Sequence, residues 1–251
     1  MKTLRLLYLS SLPVALATGV CTAAFFKLTG SAPRTQWVSL AQIVLSCWMI
    51  YILDRILDVI RGNIVTERHR FHFENQYNLQ ILAIALAAVN IFLLFFQSKE
   101  IILYGALTGA AVVLYLVGIV PRYPRAKDYI MPLIYVAAVV GIPFVTASSV
   151  TLSAWVTAGM FALLVFQNLS AFAYFEQGTE GKRRTVTFIG AFNFFLFILL
   201  FSGNMEYVNR LAIVFAGISA LYSLIVNNEK RFSVHYRWMM DTLLFLPLFI
   251  L

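Results

Sequence analysis

The chain has 251 residues, of which 61% are hydrophobic and only 12% charged, with a mean hydropathy of +0.83. So little charge cannot cover a water-exposed surface, so the composition excludes an ordinary soluble domain and describes a protein whose solvent is mostly lipid. The net charge of +8 raises the question of nucleic acid, which the placement of the basic residues along the chain answers.

Apolar runs of about twenty residues, the length that crosses a bilayer core, occur nine times, at roughly 5 to 29, 36 to 60, 77 to 97, 99 to 120, 128 to 148, 151 to 175, 185 to 203, 206 to 227 and 234 to 251. They are longer than membrane strands and lack the polar alternation of a barrel wall. The expected fold is all-α, a polytopic membrane bundle of about nine transmembrane helices. The loops leave no room for a soluble domain, so residues 1–251 form one helical domain, and no repeat at solenoid period appears.

The first run follows Lys2 and Arg5 and continues past its small-residue stretch to Phe26, which suits an uncleaved helix better than a signal peptide. Cys21 and Cys47 both fall inside runs and read as small packing residues, not as a disulfide or metal site. The second run ends YILDRILDVIR, which stacks Asp54 over Asp58 on one helical face, with Tyr51 one turn earlier. An acidic residue at the centre of a membrane helix costs about 2.5 to 3.5 kcal/mol, so the pair demands a reason. A shared Mg²⁺ completed by substrate phosphates is one; pairing of one member with Arg55 or Arg61 is the other.

The next loop, TERHRFHFEN, gathers Arg68, His69, Arg70 and His72. Arginine matches phosphate through its planar fork of donors, although orientation in the membrane alone would also explain the arginines. The basic turn at Tyr123 to Lys127 carries the same two readings. The sixth run ends with Glu176 and Glu180, again four apart, followed by Lys182, Arg183 and Arg184. Two facing acidic pairs rimmed by cations suit a diphosphate, whereas Gly178 and Gly181 suggest that the helix stops there and leaves Glu180 solvated. In the last run Arg237 and Asp241 are four apart and read as an ion pair with each other. Some of the aromatic residues, 15% of the chain, could line a tunnel for an isoprenoid tail and shield a carbocation.

Thirteen of the nineteen basic residues fall on the side of the N-terminus, four (Lys27, Arg34, Lys99 and Arg210) on the opposite side, and Arg55 and Arg237 within runs. This asymmetry predicts a cytoplasmic N-terminus and a C-terminus on the other side. Basic charge therefore encodes orientation and contact with anionic membrane lipids, with no nucleic acid required.

Together these residues resemble the UbiA superfamily of intramembrane prenyltransferases, which has nine helices and Asp-rich motifs on the second and sixth. The first family motif, Asn-Asp-x-x-Asp-x-x-x-Asp, is similar to Ile50, Tyr51, Asp54 and Asp58, whose last two acids match. The second, Tyr-x-x-x-Lys-x-x-x-Asp-x-x-x-Asp, maps onto Asn168, Phe172, Glu176 and Glu180, where the acidic positions are kept as Glu. The segment Arg68-His69-Arg70 and the turn Tyr123, Pro124 and Lys127 resemble the family's basic segments. The resemblance implies an Mg²⁺-dependent enzyme that ionises a prenyl diphosphate and transfers the isoprenoid to a lipophilic or aromatic acceptor. Asp54, Asp58, Glu176 and Glu180 would be its catalytic metal ligands. Tyr51, Arg61, Arg68, Arg70, Tyr123, Lys127, Lys182 and Arg183 would contact substrate. A membrane terpene cyclase, and a carrier or non-catalytic protein on the same fold, are the alternative expectations; the paired broken helices of an inverted-repeat carrier are not evident.

Overall fold

The computed structural model describes residues 2–31, 36–62, 67–123, 126–178, 180–201, 206–232 and 235–251. It is helical throughout, with no strand among the described residues. Seven helices are long and apolar enough to cross a membrane: α2 (Leu12–Thr29), α5 (Gln76–Leu94), α6 (Lys99–Val113) with the π-helical turn that extends it (Leu114–Ile119), α7 (Lys127–Thr146), α8 (Leu152–Gln177), α9 (Glu180–Phe201) and α10 (Glu206–Asn227). The 25-residue α3 (Gln36–Ile60) packs between α2 and α5, and the short helices are α1 (Lys2–Leu9), α4 (Glu67–Glu74), α11 (Glu229–Phe232) and α12 (Tyr236–Leu243). Large apolar side chains such as Ile84, Ile91, Leu103, Leu107, Phe194 and Ile198 stand exposed along these helices. A surface of that kind is stable against lipid tails and not against water. These features support an integral membrane protein of several crossings.

Two of the nine expected runs are not single helices. The first divides into α1 and α2 at Ser11, which adopts a left-handed φ of 64° while Pro13 occupies the first turn of α2. Proline fits there because its missing N–H has no helical partner in any case. The last divides into α12 and a 3₁₀ turn, Leu246–Ile250, that starts around Pro247, since proline cannot donate into an α ladder. The divided segment nonetheless runs the length of α2. Arg68 lies over the ring of Tyr8 just before α2, whereas Lys27 in the last turn of α2 donates to the carbonyls of Ile250 and Leu251 at 2.9 and 2.6 Å. Helix α1 and the final 3₁₀ turn therefore lie at opposite ends of the bundle.

The centre is closed by aromatic rings from three helices. Phe25 of α2 meets Phe161 of α8 at 5.5 Å and Phe215 of α10 at 6.2 Å, and all three are fully buried. These rings pack against one another as core. Between α8, α9 and α10 the interior is polar: Gln167 donates to the carbonyls of Val186 and Ser219, both at 2.9 Å, and receives a short hydrogen bond from the Ser219 hydroxyl. Such bonds hold membrane helices together where no hydrophobic driving force does.

Candidate functional site

The charged residues that enter the interior meet at one end of the bundle, where α3 finishes. Ile52 and Ile56 of α3 pack toward Leu79, Ala83 and Leu86 of α5. Ile50 and Leu57 pack on Tyr115 and Leu116 of the π turn. Asp54 and Asp58 belong to this second side by helical spacing, and their residues are only 2% and 7% exposed. Tyr51, one turn before, is half-buried. The sequence reading of one shared face thus matches the burial of both carboxylates.

Helix α4 adds Arg68, His69 and His72, all buried, and turns Glu67 and Arg70 outward. Arg55 Nη1 stands 3.5 Å from Asp58 Oδ2 and 2.8 Å from His69 Nε2. Because a guanidinium can only donate, His69 accepts through Nε2 and its neutral ring carries its proton on Nδ1. Asp58 Oδ2 is also 3.6 Å from His69 Nε2. The Nδ1–H of His72 donates to the Arg68 carbonyl at 2.8 Å, which leaves Nε2 as a lone-pair acceptor. Burial pushes the His72 imidazole down to about 4, against the hydrogen bond to the Arg68 carbonyl and with help from the guanidiniums of Arg55 and Arg68.

The last segment completes the cluster in a way that corrects one sequence expectation. Arg237 and Asp241 take partners on other elements: Arg68 Nη2 binds Asp241 Oδ2 at 3.0 Å, and Arg237 binds Glu176 Oε1 at the end of α8. Each charge thus meets a partner from a different helix, which pairs four groups instead of two. The guanidinium of Arg237 also lies 5.0 Å from the centre of the Phe172 ring, a cation–π contact.

The second acidic pair is not stacked on one helix. Helix α8 stops at Gln177, Gly178 follows with a φ of 68° and donates its N–H to Tyr174 O at 2.7 Å, and Glu180 opens α9. That left-handed turn suits glycine and carries Glu180 away from the face of Glu176. Glu180 is exposed and pairs with Arg183 at 2.6 Å and Arg184 at 3.8 Å. Lys182 pairs with Asp128 of α7 at 3.1 Å, and Tyr123 and Arg70 are exposed. Pro124 and the side chain of Lys127 lie outside the described residues. Arg61 donates to the carbonyl of Leu116 at 2.9 Å. The structure therefore brings Asp54, Asp58 and Arg68 together with Arg55, His69, His72 and Tyr115, and keeps Glu180, Lys182 and Arg183 on the surface.

Four buried atoms of the cluster have no hydrogen-bond partner among the described residues: Arg55 Nε, Arg68 Nε, His72 Nε2 and the Tyr115 hydroxyl. Unpaired groups of this kind cost about 1–3 kcal/mol each unless something binds them. Tyr115 is the residue that the sequence does not reveal, since it sits alone in an apolar run. Tyr115 lies in the electrostatic reach of both Asp54 and Asp58. The donor set also bears on metal: among the described residues no group of three or more His, Cys, Asp or Glu side chains is gathered for an ion. Two carboxylates from α3 suit one Mg²⁺ that takes its other ligands from phosphate and water; Glu176 and Glu180 do not form a second such pair. In comparisons with protein-family models, characterised proteins and solved structures, none matches this chain.

Proposed function

We propose that this chain is a multi-pass membrane enzyme of UbiA type that binds a prenyl diphosphate at the Asp54/Asp58 cluster, ionises it, and transfers the isoprenoid to a lipophilic or aromatic acceptor. The observation that carries this reading is the set of unpaired donors, Arg55 Nε, Arg68 Nε and the Tyr115 hydroxyl, buried beside two carboxylates. Unused donors beside a metal-competent acidic pair are the requirement of a ligand that is both anionic and metal-bound. Mg²⁺ held by Asp54 and Asp58 would supply charge neutralisation for the departing diphosphate. The guanidiniums of Arg55 and Arg68 add fixed positive charge where negative charge grows as the carbon–oxygen bond breaks. Arg237 over the Phe172 ring brings a cation to the position where the family's second motif has Lys. In this reading α3 and the divided last segment count as crossings beside the seven, giving nine. The basic-rich end faces the cytoplasm with the N-terminus, and the C-terminus lies opposite.

One observation favours a non-catalytic protein on this fold: Asp58, Asp241 and Glu176 already meet Arg55, Arg68 and Arg237 within the chain. The two readings separate when purified protein is incubated with geranyl, farnesyl and geranylgeranyl diphosphates, with and without Mg²⁺, and the products are analysed by mass spectrometry. The enzyme reading expects Mg²⁺-dependent diphosphate release that falls at least a hundredfold in Asp54→Ala and Asp58→Ala. A prenylated acceptor identifies a transferase and a free cyclic hydrocarbon a cyclase. Absence of release with every chain length, or release that persists in Asp54→Ala, would overturn the site.

A further inference from the structure

The π-helical turn at Leu114–Ile119 is a departure from α geometry that the membrane setting makes costly, and such turns recur at functional positions. Its origin is legible in the chain. The N–H of Val120 reaches back five residues to Tyr115 O at 3.0 Å. The carbonyl of Leu116 would take the next bond from residue 121, but that residue is Pro121 and has no N–H. Arg61, one turn past the acidic face of α3, supplies the missing donor at 2.9 Å. Arg122 Nη1 likewise takes the Gly118 carbonyl at 3.0 Å. Two arginines thus hold open a turn that the backbone alone would leave unsatisfied.

Within this turn the Tyr115 side chain is 1% exposed and its hydroxyl has no partner among the described residues, although it lies near Asp54, Asp58 and Arg55. A phenol that merely filled space would be replaced at no cost by phenylalanine, so the buried hydroxyl calls for a ligand.

We propose that the π turn presents the Tyr115 hydroxyl as a hydrogen-bond donor to a phosphate oxygen of the ligand bound at Asp54 and Asp58, and that Arg61 is the positioning residue that maintains the turn. This rests on the diphosphate-binding reading above and adds to it a contact on α6 and a role for Arg61 that does not involve touching phosphate.

The test uses the full chain in lipid nanodiscs, with inorganic pyrophosphate and Mg²⁺ as the probe, titrated by calorimetry. Tyr115→Phe is expected to weaken binding roughly ten- to hundredfold, the scale of a hydrogen bond to a charged acceptor. It should leave the ligand-free unfolding midpoint unchanged or raised, because it removes an unpaired buried hydroxyl. Arg61→Met is expected to lower the ligand-free midpoint and weaken binding, and adding it to Tyr115→Phe should weaken binding no further. A Tyr115→Phe affinity within twofold of wild type, alongside loss of binding in Asp54→Ala, would overturn the Tyr115 contact and leave the site assignment standing. A lower ligand-free midpoint in Tyr115→Phe would overturn it too, by making the hydroxyl a structural bond. Additive losses in the double variant would overturn the positioning role of Arg61. Wild-type protein that binds no pyrophosphate, or Asp54→Ala that binds as wild type does, would remove the site itself and this inference with it.

Discussion

The pair formed by Arg68 and Asp241 joins α4 to the last segment across the polar end of the bundle, and its loss has a size that the geometry sets. The two groups are 3.0 Å apart, with side chains 7% and 4% exposed. At an effective dielectric constant of about 20 such a pair attracts by about 5 to 6 kcal/mol. That gain is offset by desolvation of both charges, but removing one partner strands the other and costs roughly 3–5 kcal/mol. In Asp241→Ala the Arg68 guanidinium keeps the ring of Tyr8, at 4.4 Å, and loses its carboxylate. Its unfolding midpoint in detergent or nanodiscs should drop by about ten degrees, at roughly 2–4 °C per kcal/mol for a chain of this size. Asp241→Asn, which keeps an acceptor oxygen, should lose less. The double variant Arg68→Met with Asp241→Leu should recover to within about 1 kcal/mol of wild type, because apolar replacement of a buried pair is often neutral. The recovered double variant should still fail to bind pyrophosphate, since Arg68 is also a member of the site. A midpoint within two or three degrees of wild type for Asp241→Ala, or a double variant no better than the single ones, would refute this reasoning.

The His72 imidazole, held at about 4 by burial against an ordinary 6.5, stays neutral when folded. Its contribution is complete above pH 6.5 and is lost as pH falls toward 4, by roughly 3 kcal/mol, so the midpoint of wild type should fall more steeply over that window than that of His72→Gln. Gly141→Ala would place a methyl 1.8 Å from the hydroxyl of Tyr104, which itself donates to Ala137 O at 2.7 Å, and Gly190→Ala one 2.2 Å from Ser223 Oγ. Each should destabilise by roughly 1–3 kcal/mol in chemical unfolding of the purified protein. Glu180→Gln loses only exposed ion pairs, with Arg183 and Arg184, and should change stability little, whereas Glu176→Gln, which removes the charge facing the more buried Arg237, should cost more in the same measurement.

Composition and run length made the helical membrane class legible, because lipid burial demands about twenty apolar residues wherever a helix crosses. The burial of Asp54 and Asp58 was legible for a related reason: charges at helical spacing in an apolar run must share a face. The divisions at Ser11 and Pro247 were not, because a hydropathy window averages over a single left-handed residue or proline. The partners of Arg237 and Asp241 were missed since local spacing favours an i, i+4 pair, and only the tertiary fold offers Arg68 and Glu176 instead. For Glu180 the glycine at position 178 was the correct signal, and the repeated four-residue spacing was the misleading one. Tyr115 had no signal at all, since its significance depends on Arg61 and Pro121 acting together on the turn that carries it.

The charge balance of the cluster gives a sharper condition on what it can bind. Each of Asp58, Asp241 and Glu176 faces an arginine and Asp54 adds a fourth carboxylate, so the three arginines leave this end with no excess of positive charge before any ligand arrives. A diphosphate brings several negative charges into that low-dielectric place, where uncompensated charge is the most expensive kind. Neutralisation then has to come with the ligand, and Asp54 with Asp58 is the pair able to hold the cation that brings it. Pyrophosphate affinity measured by calorimetry should therefore fall by at least a hundredfold when Mg²⁺ is replaced by a chelator, and the Mg²⁺ requirement should vanish along with binding in Asp54→Ala. Equal affinity with and without Mg²⁺ would mean that the arginines bind the anion alone and that the two aspartates serve only to balance them.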